Sequence, residues 1–76
     1  MDKEKTQKIR TAIADVVGFK SEDIQDEDRF IADYRIAYAE RKALLERLNA
    51  DFAKSMDFAA FCRLDKVESV IEAFAN

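Results

Sequence analysis

Glu40-Arg41-Lys42-Ala43-Leu44-Leu45-Glu46-Arg47-Leu48-Asn49-Ala50-Asp51-Phe52 is the stretch that decides the fold. Its apolar members Leu44, Leu45, Leu48 and Phe52 recur at three- and four-residue steps, which lines them along one face of an α-helix. Glu40, Arg41, Lys42, Glu46, Arg47 and Asp51 occupy the remaining positions. The start of this helix is unmarked, because residues 28–55 contain neither Gly nor Pro and are mostly good helix formers. Asp33 is a candidate N-cap, and the composition also allows a start earlier than Asp33.

Upstream, Ile9, Ala12, Ile13, Val16 and Val17 form a second helical stripe, and Gly18 follows where a left-handed residue ends a helix. Lys20 to Arg29 is polar and lacks helical periodicity, so it reads as a loop, anchored by Phe19 and Ile24 and closed by Phe30 and Ile31. Downstream, the short cluster Met56, Phe58, Ala59, Phe61 and Cys62 supports one or two turns, with Asp57 as cap. Asp65 heads a last helix whose stripe is Val67, Val70, Ile71 and Phe74, and Glu68 completes an Asp-led capping box. Nothing alternates as a strand would. The expected fold is all-α, a single domain over residues 1–76: a bundle of three main helices and one short helix, with a long loop after the first.

Composition narrows the chemistry. The chain has no His, no Pro, no Trp, one Gly and one Cys. A Cys/His zinc site cannot form, and no His is present to act as a general base. One glycine cannot build a phosphate-cradling loop. A lone Cys excludes an internal disulfide and fits a reducing compartment. These absences argue against an enzyme and for a carrier, adaptor or interaction module without cofactor or metal. With twelve alanines among the 49% hydrophobic residues, the larger apolar side chains suffice for one core. Such a core rarely supplies more than ~3–5 kcal/mol.

Sixteen acidic residues against thirteen basic ones leave a net charge of −3, which disfavours nucleic acid and anionic membranes. Glu22, Asp23, Asp26, Glu27 and Asp28 form an acidic run without the Gly and spacing of an EF-hand, so a solvated loop is expected there. No apolar stretch approaches the ~18 residues of a membrane span. No signal peptide precedes the charged start, and a soluble, cytoplasmic protein is expected.

The layout resembles the acyl carrier protein family over nearly the whole chain. Val17-Gly18-Phe19-Lys20 is similar to that family's Leu-Gly-Val-Lys ending of the first helix, and Ser21-Glu22-Asp23-Ile24 to the acidic stretch after it. Phe30-Ile31-Ala32-Asp33-Tyr34 resembles the family's Phe-Val-Glu-Asp-Leu, while Leu44, Leu48, Phe52, Leu64, Val67, Ile71 and Phe74 fall on apolar positions of its later helices. Each motif is weak alone, and the common spacing carries the match. In the family, the serine of Gly-x-Asp-Ser-Leu bears 4′-phosphopantetheine. The same register here is Arg35-Ile36-Ala37-Tyr38-Ala39, so the resemblance implies a carrier-like domain that has lost its attachment site.

A tyrosine hydroxyl lies a ring's length farther from the backbone than a serine hydroxyl, and a transferase shaped for one should refuse the other. Replacing Asp by Ala37 also removes an N-cap worth ~1 kcal/mol. Arg35 and the alanines favour helix where the family has Gly, which suggests an earlier start for the second helix. The family's second helix is typically acidic and docks on basic partners. Here Glu40, Glu46 and Asp51 balance Arg41, Lys42 and Arg47, so that steering should weaken. Lys42 and Glu46 also stand where the family often has apolar residues lining its acyl pocket.

Candidate partner contacts are therefore Arg35, Tyr38, Glu40, Arg41, Lys42 and Arg47. Tyr38 is either an interface anchor or a structural ring, packed on Tyr34 one turn earlier or covering the core's edge. The cations form either a recognition stripe or, as their spacing favours, local pairs with Glu40, Glu46 and Asp51. Cys62 is expected to be a buried, inert thiol. The leading expectation is an interaction or accessory module that binds a protein through helix 2 and the loop before it, in a fatty-acid or polyketide-type setting. The alternative is non-covalent binding of an acyl or lipid ligand in the core. A decoy for a carrier's enzymes is a third idea, against which the neutral second helix argues.

Overall fold

The computed structural model describes residues 3–75; residues 1, 2 and 76, the ends of the expected domain, lie outside the described residues. Four α-helices follow in order: α1 (Lys3–Val17), α2 (Tyr38–Phe52), α3 (Phe58–Cys62) and α4 (Val67–Ala75), with a 3-10 turn at Ser21–Asp23. Among the described residues there is no strand, only one isolated antiparallel bridge between Arg29 and Lys66. Three main helices, one short one and a long loop after α1 match the expected architecture.

α1 packs against α2, α4 and the 3-10 turn. It buries Ile9, Ala12, Ile13 and Ala14, while Val16 and Val17 lie half-buried at the core's edge. It ends as anticipated: Gly18 has φ +79°, and the N–H groups of Gly18 and Phe19 both return to the Ala14 carbonyl at 2.8 and 3.0 Å. α2 contributes Leu44, Leu45 and Leu48, and α4 contributes Val67, Val70, Ile71 and Phe74. Phe74 sits between Phe52 and Phe61, with ring centroids 6.2 Å away on both sides. Each such buried side chain contributes ~1.5–3 kcal/mol, so this small interior is the main source of stability.

Two expectations about helix starts are corrected. α2 does not begin near Asp33. The Asp33 carboxylate instead accepts the Arg29 N–H at 2.7 Å and closes a separate turn. That turn ends at Arg35, which has φ +51° and returns its N–H to the Ile31 carbonyl at 3.1 Å. A left-handed residue cannot continue a right-handed helix, so α2 starts afresh at Tyr38, with Ala37 as an extended N-cap. The earlier start inferred from Arg35 and the alanines is overturned for the same reason.

The second correction concerns α4. Asp65 and Glu68 do not form the capping box. The first N–H groups of α4, on Val67 and Glu68, donate to the carbonyls of Asp28 and Asp26, each at 3.0 Å. Phe30 N–H donates back to the Asp65 carbonyl at 2.9 Å, and the Asp65 carboxylate faces Arg29 at 3.4 Å. The loop itself therefore caps α4. Arg10 of α1 holds this loop from the other side through the Ile24 carbonyl and the Asp26 carboxylate. The long segment 24–37 is thereby tied to both α1 and α4, and α2 begins from a fixed base.

Candidate functional site

The start of α2 is defined by backbone chemistry. The Glu40 carboxylate accepts the Ala37 N–H at 2.8 Å, and Arg41 N–H donates to the Ala37 carbonyl at 2.9 Å. Alanine has no side-chain acceptor to offer in return, so only one half of a capping box exists. Tyr38 is the first helical residue, and 68% of it is exposed.

Tyr38 does not pack on Tyr34. Its ring meets Phe58 of α3 edge-on, with centroids 5.0 Å apart at 61°. Tyr34 belongs to another cluster, edge-on to Phe19 at 5.1 Å and to Phe30 at 6.1 Å. Its hydroxyl donates to the Asp28 carboxylate, which also accepts the Gln25 N–H at 3.0 Å. Partial burial raises the Tyr34 pKa well above its ordinary value, and the bond to Asp28 and that carboxylate's charge push the same way.

Beside Tyr38 an open cleft of about 200 Å³ lies between the loop, α2 and α3, lined by Ile31, Ile36, Tyr38, Arg41, Phe58 and Cys62. Ile31 is 59% exposed at its rim. Cys62 is half-buried here, which corrects the expectation of a fully buried thiol. α3 is short, and only Phe61 of its residues points fully into the core, so Phe58 and Cys62 are left to the cleft. The Asp57 cap holds α3 in place by accepting the Ala60 N–H at 2.7 Å, as the sequence suggests.

The expected charge pairing is only partly present. Arg47 pairs with Asp51 at 3.9 Å and, more closely, with Asp15 of α1 at 3.0 Å. It ties two helices together and is removed from the cleft's surroundings. Glu40 is engaged with the Ala37 N–H. Among the described residues no ion pair engages Arg35, Arg41 or Lys42. Arg35 and Lys42 are exposed and Arg41 is half-buried at the cleft. Of the six candidates, Tyr38 and Arg41 thus line one cleft, Arg35 and Lys42 flank it in sequence, and Glu40 and Arg47 serve the scaffold.

Ile31, Ile36 and Phe58 also belong to this face, although nothing in the sequence sets them apart. Ile31 and Phe58 read as ordinary anchors in the sequence, and no local signal distinguishes an anchor that stays at the surface. In the acidic run, Asp26 and Asp28 spend their oxygens on Arg10, Gln25 and Tyr34. Among the described residues no cluster of three or more His, Cys, Asp or Glu is arranged to hold a metal. No described helix is long and apolar enough to cross a membrane. The chain matches no family model and no curated protein.

Proposed function

We propose that this chain is a non-enzymatic interaction module on an acyl-carrier-like scaffold, without a prosthetic group, which binds a protein through the start of α2 and the loop before it. The observation that carries the proposal is Tyr38: a 68% exposed aromatic at the first position of α2, braced by Phe58 and opening on an apolar cleft. Large exposed rings set in partly formed pockets are the usual anchors of protein interfaces. The carrier resemblance draws support from the backbone. Arg35 adopts the left-handed conformation that the family's glycine would favour, and positions 37 and 38 are the N-cap and first residue of α2, where the family's Asp and Ser would stand.

The setting in fatty-acid or polyketide-type synthesis belongs to the same proposal and rests on the resemblance alone. Incubating the protein with coenzyme A and a broad-specificity phosphopantetheinyl transferase tests the loss of attachment. The intact mass should stay unchanged, and a gain of one phosphopantetheine at any residue would overturn the proposal. A second reading, non-covalent holding of an acyl or lipid chain, is favoured by the cleft, which gives an apolar tail a point of entry beside Phe58. Native mass spectrometry of protein isolated from cells decides it: a retained lipid mass supports that reading, and a clean apo mass ends it.

A further inference from the structure

Resting on the interaction-module reading, we infer that the face around Tyr38 receives an acidic protein segment bearing an apolar side chain. Its carboxylates meet Arg35, Arg41 and Lys42, and its apolar group enters the cleft between Tyr38 and Phe58.

The charge argument comes from what the nearby acids are already doing. Asp33 accepts the Arg29 N–H, Glu40 the Ala37 N–H and Asp57 the Ala60 N–H, at 2.7, 2.8 and 2.7 Å. Each carboxylate is turned toward backbone and stabilises a turn or a helix start. Arg35, Arg41 and Lys42 are left without a carboxylate among the described residues. By contrast, Arg10, Arg29 and Arg47 each hold an acid from another element, Asp26, Asp65 and Asp15. Arg41 lines the cleft, and Arg35 and Lys42, exposed and adjoining it in sequence, likewise hold no ion pair among the described residues.

Shape and hydropathy select among anions. The cleft, at about 200 Å³, compares with the roughly 150 Å³ apolar cavity that takes up a benzene ring, so one leucine- or phenylalanine-sized group fits. Ile31 at 59% exposure and Tyr38 at 68% give that group apolar walls to cover. A polyanion such as nucleic acid would use the cations but leave the apolar walls uncovered. An acidic segment with one apolar anchor uses both, its charges setting register and the ring supplying contact area.

A phage-displayed library of random linear peptides, selected on the folded wild-type protein, tests the inference. Enriched peptides should place Asp or Glu on either side of a large apolar residue. A synthetic peptide of the consensus should bind the Arg35→Glu/Arg41→Glu/Lys42→Glu and Tyr38→Ala variants roughly tenfold or more weakly than wild type. Its addition should shift amide resonances within 31–42 and 58–62. Circular dichroism confirms folding of each variant, and Arg35→Gln/Arg41→Gln/Lys42→Gln replaces the reversal if that variant fails to fold. A neutral or basic consensus, no enrichment above background, or equal binding to the charge variants would overturn the inference. So would a wild-type dimer that Tyr38→Ala dissociates, since the occupant would then be a second copy. A neutral consensus that still shifts these amides overturns the acidic partner alone, whereas phosphopantetheine on the wild-type protein overturns the underlying module reading.

Discussion

Supplying the side chain that α2 lacks should stabilise the whole domain. Ala37 is the N-cap, with φ −79° and ψ 160°, and offers no acceptor to the first N–H groups of α2. Glu40 already reaches back to its N–H at 2.8 Å, so Ala37→Asp would complete a reciprocal capping box. A cap of this kind is worth about 1 kcal/mol. A carboxylate near the helix N-terminus adds up to about 0.5 kcal/mol through the dipole, offset in part by repulsion from Glu40. At about 2.1 cal/mol/K per residue, the unfolding entropy of 76 residues is about 0.16 kcal/mol/K, so 1 kcal/mol raises Tm by about 6 °C. Thermal unfolding followed by circular dichroism is the assay, with Ala37→Asn as the uncharged comparison. Asn should give most of the gain independently of salt, and Asp a gain that declines slightly as salt rises. An unchanged or lowered Tm for both would refute the assignment of Ala37 as the cap, and with it the start of α2 at Tyr38.

Three further perturbations read other parts of the structure. Arg35→Gly relieves a left-handed φ of +51° on a residue with a Cβ and should stabilise by about 1 kcal/mol in urea unfolding, while weakening any acidic partner; a loss of stability would contradict the left-handed assignment. Leu48→Ala deletes a fully buried side chain and should cost about 2–5 kcal/mol, enough to unfold much of a domain this small, visible as lost amide dispersion. Tyr34 is held neutral by burial and by Asp28. Its folded-state pKa lies above the unfolded value of 10.0, so its stabilisation is complete below pH 10 and is lost as pH rises beyond it. Urea midpoints should therefore fall on raising pH above 10, with a shallower fall in Tyr34→Phe, and phenol absorbance in a Tyr38→Phe background should titrate late.

What the sequence makes legible here is whatever depends on near neighbours. The α1 stripe, its stop at Gly18, the body of α2 at Leu44 and Leu48, and the Asp57 cap each involve residues within about four positions, where helical geometry couples identity to position. The start of α2 was not legible, because Asp33 has the right chemistry for an N-cap but spends it on Arg29, and nothing in an arginine announces a left-handed backbone. The cap of α4 is hidden from the sequence for a different reason. Its acceptors, the Asp26 and Asp28 carbonyls, come from a loop some forty residues upstream and carry no side-chain signature. The candidate face combines both kinds of feature. Tyr38 and the cations could be nominated from their register, but its bracing by Phe58, twenty residues on, and the engagement of Glu40 and Arg47 elsewhere are tertiary facts.

Intact-mass spectrometry can decide whether a carrier-like scaffold persists around an erased attachment site, as proposed. The wild-type protein and the variant Arg35→Gly/Ala37→Asp/Tyr38→Ser/Ala39→Leu are each incubated with coenzyme A and a broad-specificity phosphopantetheinyl transferase. No mass change is expected for the wild type, and one phosphopantetheine, at position 38, for the folded variant. A modified wild type, or a folded variant that stays unmodified, would contradict the proposal.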